Sequence, residues 1–215
     1  MESLPGDVMT AASITVKTRP VDDNGHLAKP APATGAFVLD LEAIKARARE
    51  HLEDGAVTIG NQGDQQQIIS LLNDALSTEL VCVLRYRSHH FMSAARGGIA
   101  GFAVTGELMQ HAQEELAHAD RLASRITQLG GVPDFSPQGL AKRSHTDYVV
   151  STSLHHMLTE DLVAERIAIE TYTALVRFVS DKDPTTRRLF EDILAQEEDH
   201  ADELSDLLRR LPVGG

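Results

Sequence analysis

A short pattern, a glutamate followed three positions later by a histidine, occurs twice in this chain. The two copies share one register: Glu115-Leu-Ala-His118-Ala-Asp120 and Glu197-Glu-Asp-His200-Ala-Asp202. Residues three apart on a helix are neighbours on one face, so the glutamate and histidine of each copy can reach the same cavity. Carboxylate oxygens combined with one imidazole per metal suit iron or manganese. The repeated pattern therefore predicts a pair of metal-binding half-sites.

Each copy lies within an apolar stripe of helical spacing, and each is preceded by a helix with a further glutamate in its stripe. The two preceding stripes have identical offsets: Leu72, Leu76, Glu79, Val83, Tyr86 and Leu158, Leu162, Glu165, Ile169, Tyr172. The stripes that carry the repeated pattern are Leu108, Ala112, Glu115, Ala119, Leu122 and Phe190, Ile193, Glu197, Ala201, Leu204. The chain is therefore an internal duplication of a helical hairpin.

The negative charge of four carboxylates in one apolar core must be balanced by positive charge. A lone buried carboxylate costs several kcal/mol, and four close together also repel one another. Two divalent cations would neutralise them. A single Glu-x-x-His pattern is usually part of a solvated face, but two copies inside matched apolar stripes favour a dimetal site. Its predicted ligands are Glu79, Glu115, His118, Glu165, Glu197 and His200.

Residues around the predicted ligands have two interpretations each. Tyr86 and Tyr172 follow their glutamates by two turns and either hydrogen-bond to ligand carboxylates or are ordinary core tyrosines. Asp120 and Asp202 either orient a ligand imidazole from a neighbouring helix or are ordinary surface residues. Five further histidines form either an iron access path or accessory site, or exposed positions: His89, His90, His111, His155 and His156. Cys82 is interpreted as a packing residue rather than a redox centre.

The elements that position these residues are four long helices. Periodicity, caps and breakers predict helices over 64–94, 101–129, 151–179 and 183–210, and no period-two alternation predicts a strand. The first two helices and the last two are joined by short links, whereas about twenty residues separate the second from the third. The predicted fold is all-α, a four-helix bundle with one long crossover between helices two and three.

The segment before the bundle is predicted to differ from it. Residues 1–36 contain four of the eight prolines and no apolar period, which indicates a flexible arm. A short helix from Asp40 to Glu53 and a linker occupy 37–63, with Asp40 as N-cap. Residues 64–215 form the bundle domain.

Composition excludes several classes of protein. The 215 residues include 20 Lys and Arg, 32 Asp and Glu, and one cysteine, for a net charge of −12. The lone Cys82 excludes an internal disulfide and a thiolate-rich metal site. The acidic balance disfavours DNA binding and fits attraction of cations. Neither a membrane span nor a secretory signal is predicted, so a reducing cytoplasm is the expected location.

Residues from about 64 to 210 resemble the bacterioferritin and Dps-like branch of the ferritin superfamily. The segments that carry the resemblance are Glu79-Leu-Val-Cys-Val-Leu-Arg-Tyr86, Glu115-Leu-Ala-His118-Ala-Asp-Arg-Leu, Asp161-Leu-Val-Ala-Glu165 and Glu197-Glu-Asp-His200. The resemblance implies a ferritin-like bundle that self-associates into a hollow cage. It also implies a ferroxidase that oxidises Fe(II) with O₂ or H₂O₂ at a di-iron centre within one subunit and stores ferric mineral. It carries over the six ligands, with Glu115 and Glu197 as bridges and Glu79 and Glu165 as terminal carboxylates.

Two departures from the bacterioferritin pattern qualify these expectations. Leu116 stands where bacterioferritins have the methionine that ligates haem, so haem is not expected. Only Leu211 to Gly215 follow the fourth helix, where larger cages have a fifth helix, and this favours a Dps-like dodecamer. Dps proteins build their iron site between subunits, whereas this chain has the complete ligand set.

Three alternatives remain open from the sequence. A peroxide-consuming di-manganese or rubrerythrin-like protein uses a similar ligand set, although the missing thiolate cluster disfavours the rubrerythrin version. A DNA-protecting Dps-type cage would need a basic tail, and residues 1–36 have three basic and four acidic side chains. An oxygenase or radical-generating di-iron protein would need a substrate channel.

Overall fold

The computed structural model describes residues 39–58, 60–61, 63–96 and 98–211, and over these residues it contains helices and no strand. The α-helices are α1 (Leu41–Arg47), α2 (Gln65–Arg96), α3 (Gly98–Gln128), α4 (Leu140–Arg143), α5 (Leu154–Val179) and α6 (Pro184–Arg210). A 3₁₀ helix covers Leu52–Asp54. The prediction of an all-α four-helix bundle is confirmed. The chain divides into two units, residues 1–58 and 59–215.

The first unit contains a shorter helix than the sequence predicts. Asp40 is its N-cap, and one carboxylate oxygen accepts a hydrogen bond from the Ala43 amide at 3.0 Å. The predicted continuation to Glu53 is wrong, because α1 ends at Arg47 and His51 adopts a left-handed conformation with φ 51°. Short helices depend on packing of an apolar face, and α1 buries none of its residues. The arm predicted over 1–36 lies outside the described residues.

The second unit begins with the hairpin of α2 and α3. The sequence places the start of α3 at Gly101, but α3 begins at Gly98 and Gly101 lies inside it. A Cβ atom on Gly101 would lie 2.3 Å from the Ser93 carbonyl oxygen of α2. Glycine is therefore needed at this position for the close approach of two backbones, rather than for a turn.

The long crossover between α3 and α5 follows the surface of α2. It leaves α3 at Gly130, whose φ of 76° is typical of a helix C-terminus. The Asp134 amide donates a hydrogen bond to Asn73 Oδ1 at 2.8 Å, and Arg143 Nε donates one to Ser77 Oγ at 3.0 Å. These contacts hold the crossover against α2, so that α5 and α6 can form the second hairpin of the bundle.

The side chains at the centre of the bundle are apolar except where the predicted ligands lie. Fully buried members of the predicted stripes include Leu72, Leu76, Leu108, Leu122, Leu158, Phe190, Ile193 and Leu204. Helix α2 is also long and apolar enough to pass a composition test for a membrane span, with a mean hydropathy of 1.4. More than half of that window is buried inside the bundle, and α2 includes the buried charged residues Glu79 and Arg85. We therefore interpret α2 as a core helix.

The side chain of Asp183 connects the N-terminus of α6 to the end of α3. Removal of this side chain should lower the stability of the protein. Both Asp183 oxygens accept from Arg125 at 2.8 Å, and the Thr186 amide donates to Oδ1 at 3.0 Å. Burial would raise the pKa of Asp183, but hydrogen bonds from Thr186 and Arg125 lower it. We expect Asp183→Ala to lower the free energy of unfolding by about 2 kcal/mol at neutral pH.

Thermal unfolding at fixed protein concentration measures this effect, and the exposed neighbour Asp181 provides the matched control as Asp181→Ala. Because the folded-state pKa of Asp183 is depressed, its contribution is present above the ordinary carboxyl pKa. The contribution is lost as the pH falls towards the depressed value, so the two variants should converge in acid. Equal unfolding temperatures at neutral pH would contradict this role.

Candidate metal centre

The structure brings all six predicted ligands together in the middle of the bundle. Helix α2 contributes one glutamate, α5 contributes another, and α3 and α6 each contribute a glutamate and a histidine. All six side chains are buried: Glu79, Glu115, His118, Glu165, Glu197 and His200. They form two groups that share Glu115 and Glu197, and within each group the potential ligand atoms lie within 4.8 Å of one another.

The first group is centred on His118. Its Nδ1 atom lies 3.4 Å from Glu79 Oε2, 3.5 Å from Glu115 Oε2 and 3.1 Å from Glu197 Oε1. Three carboxylates from three different helices thus face one ring nitrogen. The arrangement provides oxygen and nitrogen ligands for one cation between them.

The second group repeats this arrangement around His200. Its Nδ1 atom lies 3.4 Å from Glu115 Oε1, 3.9 Å from Glu165 Oε2 and 3.5 Å from Glu197 Oε2. The shared carboxylates therefore present one oxygen to each histidine. This is the geometry required of a carboxylate that bridges two cations, and the two outer glutamates each serve one group.

Two tyrosines cross between the hairpins to the outer glutamates. The Tyr86 hydroxyl of α2 donates to Glu165 Oε1, and the Tyr172 hydroxyl of α5 donates to Glu79 Oε1. The hydrogen bond occupies one oxygen of each carboxylate and turns the other towards a histidine. Of the two interpretations of these tyrosines, the structure supports contact with the predicted ligands.

The outer nitrogen of each histidine contacts a residue that the sequence analysis did not select. His118 Nε2 lies 3.0 Å from Gln196 Oε1, and His200 Nε2 lies 2.9 Å from Glu114 Oε2. Both acceptors require a proton on Nε2, which leaves the Nδ1 lone pair of the neutral ring free for a metal. The signal was present, because both residues directly precede the shared glutamates on their helices.

Asp120 and Asp202 do not take this orienting role. Both side chains are exposed. The outer nitrogens of the two rings contact Gln196 and Glu114 from the neighbouring helix instead. The interpretation as surface residues is the correct one.

The donor set fits a pair of cations. Several buried atoms that face the two groups have no hydrogen-bond partner among the described residues: His118 Nδ1, His200 Nδ1, Glu115 Oε1, Glu197 Oε1 and Glu197 Oε2. Buried polar atoms are nearly always paired, so five orphans in one cavity indicate a ligand that satisfies them. Their chemistry is that of a site for two divalent transition metals.

Comparison with known proteins identifies the family. The model of the ferritin-like domain family matches residues 69–213. The chain belongs to the ferritin-like family. The bacterioferritin of Streptomyces coelicolor is 30% identical over 154 residues, which cover 70% of this chain and 86% of that protein. Within the ferritin superfamily the chain is bacterioferritin-like.

Solved structures of ferritin-like proteins agree with this assignment. A bacterioferritin-related dodecameric thioferritin from Bacteroides fragilis is 33% identical, with a TM-score of 0.64, and the match covers 69% of this chain and 88% of that one. The bacterioferritin of Desulfovibrio desulfuricans, 24% identical, has the same fold with a TM-score of 0.60 over 67% of this chain and 80% of that one.

Electrostatics distinguish the two kinds of glutamate in this ferritin-like bundle. Burial and the neighbouring Glu115 charge raise the pKa of Glu79, and burial with the charges of Glu115 and Glu197 raises the pKa of Glu165. Burial would also raise the pKa of Glu115 and Glu197. Close contacts within the cluster, including the ion pairs with His118 and His200, lower the pKa of both instead. The two shared carboxyl groups therefore ionise at lower pH than the two outer ones.

The histidines are correspondingly cationic. Burial would lower the pKa of His200, but the adjacent carboxylates of Glu115 and Glu197 raise it to about 10. The pKa of His118 is raised in the same way by the carboxylates around it. Both histidines are therefore imidazolium ions in the metal-free site at neutral pH.

This charge state predicts proton release on metal binding. A cation bound through Nδ1 needs a neutral ring, so each imidazolium must lose one proton when metal binds. We expect the uptake of Zn²⁺ to release at least about one proton per cation at pH 7. Calorimetric titrations in buffers of different ionisation enthalpy measure this number. Uptake of two cations with no proton release would contradict the assigned charge state.

The remaining candidate residues are distributed through the bundle. Cys82 is buried in the apolar core, as its interpretation as a packing residue requires. His90 donates from Nδ1 to the Thr105 carbonyl oxygen at 2.8 Å, and His89 is buried against Asp161. His155 and His156 are exposed. None of these four histidines belongs to a metal-type cluster among the described residues, whereas His111 does.

Proposed function

We propose that this protein oxidises Fe(II) at the paired site and retains the product as ferric mineral. The observation that carries the proposal is the placement of one oxygen of each shared carboxylate, Glu115 and Glu197, against each of two buried histidines. Its bacterioferritin relatives support the same class of chemistry, and the Desulfovibrio desulfuricans protein has a diiron site studied in different catalytic states.

In this proposal six residues bind iron and their neighbours position them. Two iron ions held together supply two electrons at once, which matches the reduction of O₂ to H₂O₂ or of H₂O₂ to water. Glu79 and Glu165 are terminal ligands, oriented by the tyrosine hydroxyls. Gln196 and Glu114 keep the proton of each imidazole on Nε2 and so direct the Nδ1 lone pair inward. The buried site also excludes bulk water from the metal ligands.

We further propose that the protein binds no haem. Leu116 occupies the position of the bacterioferritin haem ligand, and a leucine side chain has no donor atom. Its side chain is 45% exposed, on the outer face of α3. An exposed apolar residue at this position suits contact with a second subunit better than coordination of iron.

The mineral would be held in a homo-oligomeric cage, for which a dodecamer remains our expectation. Exposed apolar side chains on α2 support self-association, since Leu84 is 52% exposed and Phe91 is 60% exposed. The Bacteroides fragilis relative is dodecameric. The net charge of −12 attracts cations and disfavours DNA as a partner. A reducing cytoplasm, which supplies Fe(II), is the proposed location.

Iron loading tests this function directly. Fe(II) is added to the purified protein without oxygen, O₂ or H₂O₂ is then admitted, and the particle is separated by size exclusion. We expect fast oxidation and many ferric ions per chain in one soluble particle. No more than two ions per chain would contradict storage. Disproportionation of peroxide by the Mn²⁺ form without iron uptake would favour the di-manganese alternative.

A further inference from the structure

A second cluster of metal-type ligands lies beside the dimetal site, between α3 and α6. Glu107 and His111 of α3 and Glu203 of α6 place their potential ligand atoms within 4.8 Å of one another. His111 Nε2 lies 2.8 Å from Glu203 Oε2. One histidine with two carboxylates combines the same kinds of ligand as each group of the main site, which has one histidine and three carboxylates.

The histidine of this cluster is unusual for its surroundings. His111 is fully buried, and its Nδ1 atom has no hydrogen-bond partner among the described residues. A histidine that served packing alone would not need two carboxylates beside it. Over the described part of the chain, no lysine or arginine forms an ion pair with Glu107 or Glu203. The negative charge of the cluster is therefore left for a cation to neutralise.

The cluster connects the surface to the dimetal site. Glu203 is 43% exposed, so a cation can reach it from solvent. The His111 ring stacks on the His200 ring with centroids 4.3 Å apart. His111, Glu114 and His200 form a further group whose potential ligand atoms also lie within 4.8 Å. Ligand atoms thus follow one another from the partly exposed carboxylates to the buried histidine of the main site.

We propose that Glu107, His111 and Glu203 bind a divalent transition-metal cation and supply it to the His200 side of the dimetal site. Glu114 and His111 are positioned to receive the cation on its way inward. Binding at this site is independent of the proposed function, whereas the supply role rests on it. No change of oxidation state is involved, because the cation only exchanges ligands.

Binding is tested with Zn²⁺, which is redox-inert. The double variant Glu107→Gln/Glu203→Gln keeps the side-chain volumes and a hydrogen-bond acceptor for His111, so it should fold. By equilibrium dialysis we expect it to bind one Zn²⁺ per chain fewer than the wild type. The control Glu198→Gln removes an exposed charge from α6 and should bind as many as the wild type. An unchanged count in the double variant would overturn the site.

Supply is tested by the dependence of oxidation on Fe(II) concentration. We expect the double variant to show a KM raised about tenfold or more with kcat unchanged, because the dimetal ligands are intact. An unchanged KM would overturn the supply role. Failure of the proposed function gives a different result, since the wild type itself would then not oxidise Fe(II) while the difference in Zn²⁺ count would persist.

Discussion

Replacing Glu115 with alanine is expected to lower the rate of Fe(II) oxidation by at least about 100-fold, to that of iron in the same buffer without protein. Removing residues that only orient metal ligands commonly costs 10–100-fold, and Glu115 offers an oxygen to both halves of the site. Its loss also leaves three carboxylates to balance two cations. Cation binding should therefore weaken at both half-sites, and not at one of them alone.

Stopped-flow absorbance after mixing Fe(II) with O₂ measures this rate. Glu198→Ala is the matched control, because it removes an exposed glutamate from α6 beside the ligand Glu197. His118→Ala provides a second test that removes only one imidazole, and circular dichroism establishes that each variant retains its helices. Fast oxidation in either ligand variant would show that the reaction takes place elsewhere.

Replacing Asp161 with alanine is expected to lower the free energy of unfolding by about 3–5 kcal/mol. Asp161 of α5 accepts from Arg85 Nε at 3.0 Å and lies 2.8 Å from His89 Nδ1, both on α2. All three side chains are at most 1% exposed. The variant would leave a buried guanidinium without its carboxylate, which is the costly way to break a buried ion pair.

Urea unfolding followed by circular dichroism, at one protein concentration, measures the loss. Glu170→Ala is the matched control, since it removes an exposed carboxylate from the same helix. Arg85 also donates to Thr146 Oγ1 at 3.2 Å and to the Asp147 carbonyl at 3.1 Å, so the crossover should loosen with it. A change within about 0.5 kcal/mol, the range of ordinary surface substitutions, would contradict this assignment.

The bundle and its six central residues could be predicted because their signals are local and repeated. The N-cap Asp183 followed by Pro184 marks the start of α6, and the structure places it there. The stripe positions of Glu79 and Glu165 depend only on helical periodicity. Because the pattern is duplicated, the same positions in the two halves of the chain predict the same role. The six residues do lie together in the bundle core.

What the sequence could not predict depends on contacts between distant elements. Asp120 and Asp202 were candidates to orient an imidazole on a neighbouring helix, but the register between α3 and α6 brings Gln196 and Glu114 there. The predicted length of α1 was wrong for a related reason, because an apolar stripe stabilises a short helix only when other side chains pack against it. The second helix was predicted to begin at Gly101, whereas this glycine lies inside α3, close to the Ser93 carbonyl oxygen of α2.

The central claim is that two cations lie side by side among these six ligands, and anomalous diffraction from a crystal soaked in Mn²⁺ tests it most directly. We predict two peaks about 3.5–4 Å apart, as in other two-metal sites. Each peak should lie beside one histidine Nδ1, and Glu115 and Glu197 should contact both. A single peak, or two peaks without a shared carboxylate, would contradict the account.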